Sequence, residues 1–332
     1  MSNTARTAEQ ILRETQKIIL GKEHEIKLII TAILADGHVL LEDLPGVGKT
    51  TLVKTLSLAL GCQSRRVQFV PDLLPSDICG MKIYNQKTGD FQLIQGPVMT
   101  NLLLADEINR AIPRTQSALL EAMEERQVTI DGETSPLPSP FLVLATQNPV
   151  EAESTFRLPA AQLDRFLVCL SLGYPQEEEE IRMLQTLGDG IPYETVQTVT
   201  NAAELTQLQK EAAAVHVSDA VAGYIVALTQ ATRSHKALSM GASPRGSRSL
   251  YRAAKVWAAI HGRDYVMPED VQTLVQPVLA HRLVLTGEAR FAGKTAASVL
   301  QEILAGVEVP PSSFGIPGRP PAVPGAIWRT LP

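Results

Sequence analysis

The chain has 332 residues, enough for two domains, and its 45% hydrophobic and 20% charged content is that of an ordinary globular protein. A formal net charge of −5 and a pI near 5.8 argue against a broad electrostatic grip on nucleic acid and leave a local basic patch around a central pore for such a partner. Cys62, Cys79 and Cys169 follow no ligand spacing, and the six histidines lack i, i+4 spacing, so no metal centre is expected from either.

No apolar run approaches the roughly 18 residues that span a bilayer, and MSNTARTAEQ has no apolar signal-peptide core, so a cytoplasmic protein without membrane insertion is expected. Residues 7–20 carry Ile11, Leu12, Ile18, Ile19 and Leu20 at helical spacing and stop at Gly21. A second helix, 23–34, ends before Asp36-Gly37. Val39-Leu40-Leu41 predicts a buried strand, Pro45 to Gly48 a turn, and 52–60 a helix opened by Lys49-Thr50-Thr51. Strands are predicted at 66–70, 101–105, 142–146 and 165–172, with a helix at 114–125. Two hairpins are expected, one flanking Lys87-Thr88-Gly89-Asp90 and one at 127–141 turning at Asp131-Gly132. Beyond Pro175 the pattern is helical: a first turn Gln176 to Glu180, then 203–214, 218–232, 247–260, 268–279 and 296–304. These elements divide the chain into N-terminal helices (1–37), an α/β core with a parallel sheet and two hairpin inserts (38–174), a helical linker and lid (175–309) and a Pro-rich extended or disordered tail (310–332).

The strand–loop–helix order of VLLEDLPGVGKTTL is the setting in which backbone N–H groups of a glycine loop and a helix N-terminus converge on phosphate. Pro45, Gly46, Val47, Gly48, Lys49, Thr50 and Thr51 are the candidate nucleotide-binding residues, with Lys49 on the β- and γ-phosphates and Thr50 on Mg²⁺. The strict form G-x-x-x-x-G-K-[ST] has glycine where this chain has Asp43. At the ends of the following strands stand Asp106, able to hold Mg²⁺ through water, Glu107, able to polarise the attacking water, and Asn148. In isolation, an apolar run ending in Asp-Glu is an ordinary strand end and Asn-Pro an ordinary turn.

The run LLLADEINRAIPRTQSALLEAMEERQVTIDG, followed by FLVLATQNPVE and LPAAQLDRF, with PDLLPSDICGM upstream, resembles the MoxR family of AAA+ ATPases over 11–307. The resemblance implies a P-loop AAA+ core with a helical lid, in which 46–51 is the Walker A loop, Asp106 and Glu107 are Walker B, and Asn148 is sensor 1. It further implies that Arg165 is an arginine finger entering the neighbouring subunit and that Arg245, in Ser243-Pro244-Arg245, is sensor 2. The hairpins match the inserts of the helix-2-insert clade, and Asp is common in the family where Asp43 stands. Two segments depart from the family pattern. Ala160 replaces a glutamate in the usual Leu-Pro-Glu-Ala-Gln, and Ser154 to Arg157 replaces a usual Gly-Thr-Tyr-Pro, departures that bear on the geometry of the subunit interface the resemblance implies and not on the identity of Arg165. Arg110 reads equally as a contact to a neighbour or to a local acid, and Arg245 has a lid-surface ion pair as its alternative.

By this resemblance the chain is expected to bind ATP and Mg²⁺, to hydrolyse ATP in a hexameric ring, and to remodel or mature protein clients. Metal-cofactor insertion and partners with von Willebrand factor A domains are part of the same expectation. Two other classes stay open: a slow-hydrolysing, ATP-switched binding scaffold, and a nucleic-acid remodelling motor, against which the acidic balance speaks.

Overall fold

The computed structural model describes residues 2–43, 46–148, 155–188 and 190–311. Helix α1 (Asn3–Gln16) starts four residues before the predicted 7–20, because Ser2 caps it by accepting from the Ala5 amide at 3.2 Å, with Thr4 and Ala5 buried. It also ends four residues early, and Ile18 and Ile19 belong to the turn that follows. Helix α2 (Glu23–Leu34) matches its prediction and feeds strand β1 (His38–Glu42). Helix α3 (Lys49–Ala59) follows, then β2 (Ser64–Gln68), shifted two residues toward the N-terminus of the predicted 66–70. A short helix α4 (Pro75–Cys79), which no periodicity predicted, opens on Pro75 and leads into the first hairpin, β3 (Gly80–Asn85) and β4 (Asp90–Gln95).

Strand β5 (Leu102–Asp106), helix α5 (Pro113–Glu125) and the second hairpin, β6 (Gln127–Ile130) and β7 (Glu133–Pro136), lie close to their predicted positions. Strand β8 (Leu142–Gln147), a single turn α6 (Ala160–Leu163) and β9 (Phe166–Leu170) complete the α/β half; Arg165 precedes β9 instead of opening it. The lid region is built from α7 (Glu177–Leu187), α8 (Ala202–Ala213), α9 (Asp219–Ser234), β10 (Leu238–Met240), α10 (Pro244–Ile260), α11 (Pro268–Leu279), β11 (Val284–Leu285), α12 (Gly287–Phe291) and α13 (Ala296–Gly306). The two-stranded sheet β10–β11 and α12 are too short to leave a periodic signal. Helix α10 begins at Pro244, three residues before the predicted start, because Ser243 caps it. The predicted tail lies outside the described residues from 312 onward.

Five parallel strands form the sheet in the order β2-β5-β8-β1-β9. Because β1, β5 and β8 are covered on both faces, they read as continuous apolar runs. Val39, Leu41, Leu104 and Leu144 face the core that includes α2, α3 and the lid helices, while Leu40, Leu103, Ala105 and Val143 face the core under α5.

His38 begins β1 buried. Its Nδ1 accepts from the Val143 amide at 3.0 Å, which fixes the proton on Nε2, 3.1 Å from the Met123 carbonyl. Burial pushes its pKa down to about 3, so the ring is neutral. The lid is pinned to the core by Arg282, whose guanidinium donates to the Phe166 carbonyl at 2.6 Å, the Asp164 carbonyl at 2.8 Å and the Asp164 carboxylate. Asp164 also accepts from the Ser243 hydroxyl at 2.9 Å, so this carboxylate joins the segment before β9 to the start of α10.

Candidate active site

The register of the sheet brings the predicted residues to one edge. Glu42 pairs with Gln147, Ala145 with Ala105, and Gln68 with Asp106, so the carboxyl ends of β1, β8, β5 and β2 emerge side by side. Strand β8 separates β1 from β5, which sets the glycine loop about 10 Å from Asp106, a gap wide enough for phosphate oxygens and an ion.

Gly46 and Gly48 adopt φ of 86° and 84°, and a Cβ at either position would meet nothing within 4 Å. Only glycine takes these angles without strain, and the open space beside them is where an anion approaches the backbone. Helix α3 starts on Gly48 without a side-chain cap, so its first-turn N–H groups are not taken by a capping side chain. Lys49 Nζ rests 3.3 Å from the Asp43 carbonyl, Val47 packs against the core and Thr50 is exposed on the first turn. Pro45 lies outside the described residues.

Asp43 has a structural task. It is buried, and its carboxylate accepts from the Ser171 hydroxyl at 2.7 Å and from the amides of Leu172 at 2.8 Å and Gly173 at 3.0 Å. Three donors to one buried carboxylate satisfy the charge, and a glycine would leave both amides without that acceptor.

Asp106 is held on both oxygens. Oδ1 accepts from Thr146 Oγ1 at 2.7 Å, and Oδ2 from Arg66 Nη2 at 2.6 Å and Nε at 3.2 Å. A carboxylate offers about four lone-pair positions, so room remains for a water of a metal's shell. Thr50, Asp106 and the glycine cradle thus fit a phosphate-bound Mg²⁺. Glu107 sits in the left-handed region at φ 56°, ψ 49°, a conformation that costs a non-glycine residue about 1–3 kcal/mol. It is braced there by its amide, which donates to Thr146 Oγ1 at 2.8 Å, while Oε2 accepts from Gln68 Nε2 at 2.7 Å and Arg110 Nη1 at 3.0 Å. Arg110 therefore meets a local acid, one of the two readings open from its sequence position. Asn148 is buried just past β8, and its carbonyl accepts from Asn109 Nδ2 at 3.4 Å.

Sequence reasoning missed Thr146, Gln68 and Arg66. Thr146 is hidden in an apolar strand and bridges both acids from below. Gln68 and Arg66 stand on β2, beside β5, and their only signal was a polar end on a strand next to Asp-Glu.

Arg165 and Arg245 are not in this cluster. Strands β1 and β9 are parallel, so Arg165 lies at the amino end of the sheet, and a five-residue strand separates that end from the glycine loop by about 17 Å. There Arg165 Nε lies 3.0 Å from Glu124 Oε2, and Arg245 pairs with the other oxygen of the same carboxylate. The two arginines are brought together, but away from the phosphate loop of their own chain.

Residues 38–168 match the ATPase family associated with various cellular activities (AAA), and residues 230–303 match the AAA lid domain. Chaperone MoxR1 of Mycobacterium tuberculosis is 43% identical over 313 residues, covering 92% of this chain and 82% of that protein. This chain belongs to the MoxR family of AAA+ ATPases. Protein MoxR of Methylorubrum extorquens is 32% identical over 84% of this chain and 88% of its own length. The uncharacterized protein YeaC of Bacillus subtilis is 49% identical over 89% of this chain and 92% of its own length. A crystal structure of a Cytophaga hutchinsonii protein, described there with ATPase as a suggested activity, superposes with a TM-score of 0.87 at 38% identity, covering 93% of this chain and 96% of that one. The P-loop α/β core with its parallel sheet and helical lid is accordingly the AAA+ fold.

Proposed function

We propose that this MoxR-family ATPase hydrolyses ATP to ADP and phosphate at sites completed between neighbouring copies, and uses the cycle to remodel protein clients. The observation that carries the reading is the separation of Arg165 and Arg245 from Lys49 across the length of the sheet. One chain holds the phosphate loop and both acids at one edge and two arginines at the other, so a complete site needs a second chain. Head-to-tail contacts of this kind close into rings when the rotation permits, and a hexamer is the ring we infer.

In each site Lys49, the 46–51 backbone amides and the α3 N-terminus would bind the triphosphate, with Thr50 and Asp106 as the residues for Mg²⁺. When bound, that cation neutralises charge on the phosphate oxygens. Glu107, oriented by Gln68, Arg110 and Thr146, takes a proton from the attacking water as its oxygen bonds to the γ-phosphorus and the bond to the β,γ-bridging oxygen breaks. Asn148, just past β8, would hold that water, and Arg165 and Arg245 of the next copy would stabilise the charge on the transferring group. An arginine supplied this way is worth about 10³–10⁵ in rate.

The first hairpin supports a protein client. Phe91 is 70% exposed, Tyr84 stacks edge-on against it at 5.4 Å, and Ile83 and Ile94 are also exposed. Apolar side chains on a ribbon clear of the core suit an unfolded or partly assembled polypeptide. Client identity, metal-cofactor insertion, von Willebrand factor A domain partners and a cytoplasmic site of action belong to this proposal. Among the described residues no helix is long and apolar enough to cross a membrane. Mixing Arg165→Ala with Lys49→Ala chains tests the shared site. Turnover above the sum of the two separate preparations is expected, and none in co-assembled mixtures would refute it.

A further inference from the structure

The amino end of the sheet carries a basic pocket of about 370 Å³, lined by Arg126, Arg165, Arg245, Arg248 and Arg252 against Asp36, Glu124 and Asp164. Most of these guanidiniums have assigned work. Arg126 pairs with Asp36 at 2.9 Å, Arg252 donates to the carbonyls of Ala35 and Asp36 at the end of α2, and Arg165 and Arg245 share Glu124. Asp164 is engaged by the buried Arg282. Arg248 is different: it is exposed, lines the same pocket, and among the described residues has no hydrogen bond or ion pair.

Helix geometry explains its position. Arg245, Arg248 and Arg252 lie at i, i+3 and i+7 on α10, one face of the helix, so Arg248 stands a single turn, about 4.5 Å along the axis, behind Arg245. Arg252, a further turn on, is half-buried, and burial holds its pKa down, with Asp36 opposing. Along this face Arg252 is tied to the end of α2, Arg245 is paired with Glu124 near the helix start that Asp164 fixes through Ser243, and Arg248 stands unengaged between them. Five guanidiniums against three carboxylates leave the pocket with a positive excess, and Glu124 alone serves two of them. Such a surface is complementary to a multiply charged anion with oxygens in a plane the guanidinium fork can match.

We propose that Arg248 is a third arginine of this face, contacting the triphosphate bound at the glycine loop of a neighbouring copy beside Arg165 and Arg245. The proposal rests on the reading that the two chains share a site. Polyphosphate could reach the pocket from the neighbour's bound ATP or as free nucleotide, and the first source is the one proposed. The free form would need no second chain.

The test uses the full chain with Arg248→Ala, Arg248→Lys, Arg165→Ala and Lys49→Ala, each checked for assembly by sedimentation. Because Arg248 is exposed and unengaged, Arg248→Ala should melt as the parent does. Its kcat should fall about tenfold or more, the range set by a lost charge-assisted hydrogen bond, with KM little changed and Arg248→Lys recovering part of the loss. Mixed with Lys49→Ala chains, Arg248→Ala should regain turnover, as Arg165→Ala does. An unchanged kcat for Arg248→Ala overturns the proposal. So does recovery of Arg165→Ala but not of Arg248→Ala, which would place Arg248 in its own chain's site and leave the shared-site reading standing. Failure of both to recover removes the shared site and this proposal together. Calorimetric ATP binding by Lys49→Ala that disappears in Lys49→Ala/Arg248→Ala would show a free-nucleotide pocket and also overturn it.

Discussion

Replacing Thr146 by valine keeps its shape and removes one hydroxyl. That hydroxyl donates to Asp106 Oδ1 at 2.7 Å and accepts from the Glu107 amide at 2.8 Å, in a side chain with no solvent exposure. Each of the two partners left unmatched in a buried place costs about 1–3 kcal/mol, so Thr146→Val should lose about 2–6 kcal/mol of stability. For a chain of 332 residues that is a fall of roughly 3–9 °C in Tm. The larger effect is positional. Glu107 is held at φ 56° against its own preference, and with the brace gone its carboxylate relaxes. Misplacing a reacting group by about 1 Å costs about 10²-fold, the expected fall in kcat. ATP affinity should shift by no more than about threefold, because Thr146 touches neither Lys49 nor α3. Thr146→Ser, which retains the hydroxyl, should stay within about tenfold of the parent. Steady-state turnover and calorimetric ATP binding measure the two sides, and a Thr146→Val chain turning over at the parent rate would refute the brace.

Lys49→Ala should abolish ATP binding by calorimetry, and Glu107→Gln should bind ATP while its phosphate release stalls. Arg66→Ala frees Asp106 Oδ2 from a 2.6 Å ion pair and should lower the Mg²⁺ concentration for half-maximal ATP binding, read by titration at fixed ATP. Asp43→Ala strands the Leu172 and Gly173 amides and should cost about 2–5 kcal/mol in denaturant unfolding. His38 and His281 have pKa values held down to about 3, by burial in both and by Arg282 beside His281. The unfolded rings take up protons near pH 6.5, so this stability is complete above that pH and is lost as pH falls from about 6.5 toward 3. The loss is at most about 1.4 kcal/mol per pH unit for each ring. Urea unfolding at pH 7 and 5.5 should differ by about 2–3 kcal/mol, less in His38→Gln.

The strands that deliver Asp106, Glu107 and Asn148 were legible because both their faces are covered, which leaves uninterrupted apolar runs ending in polar residues. The glycine loop was legible because positive φ narrows the choice of residue at Gly46 and Gly48. Thr146 was not, since a threonine inside a β-rich run is ordinary until a carboxylate and an amide are found on either side of it. The partners of Asp43 lie 128 to 130 residues away, a distance no local pattern spans. The start of α1 was missed because it depends on a cap at Ser2 and on small buried residues. That Arg165 and Arg245 meet on Glu124 follows only from the parallel pairing of β1 with β9 and the packing of α10, both properties of the folded chain.

The Asp43 carboxylate has a mechanical consequence. It belongs to the strand exit from which the phosphate loop springs, and it grips residues 171–173, from which the chain sets off toward α7 and the lid. The root of the loop and the root of the connector are thereby one rigid fulcrum. A lever arm that swings with nucleotide must pivot beyond Gly173, where φ is 60° and the space beside the backbone is open. One buried acid thus sets where stiffness stops and leverage begins.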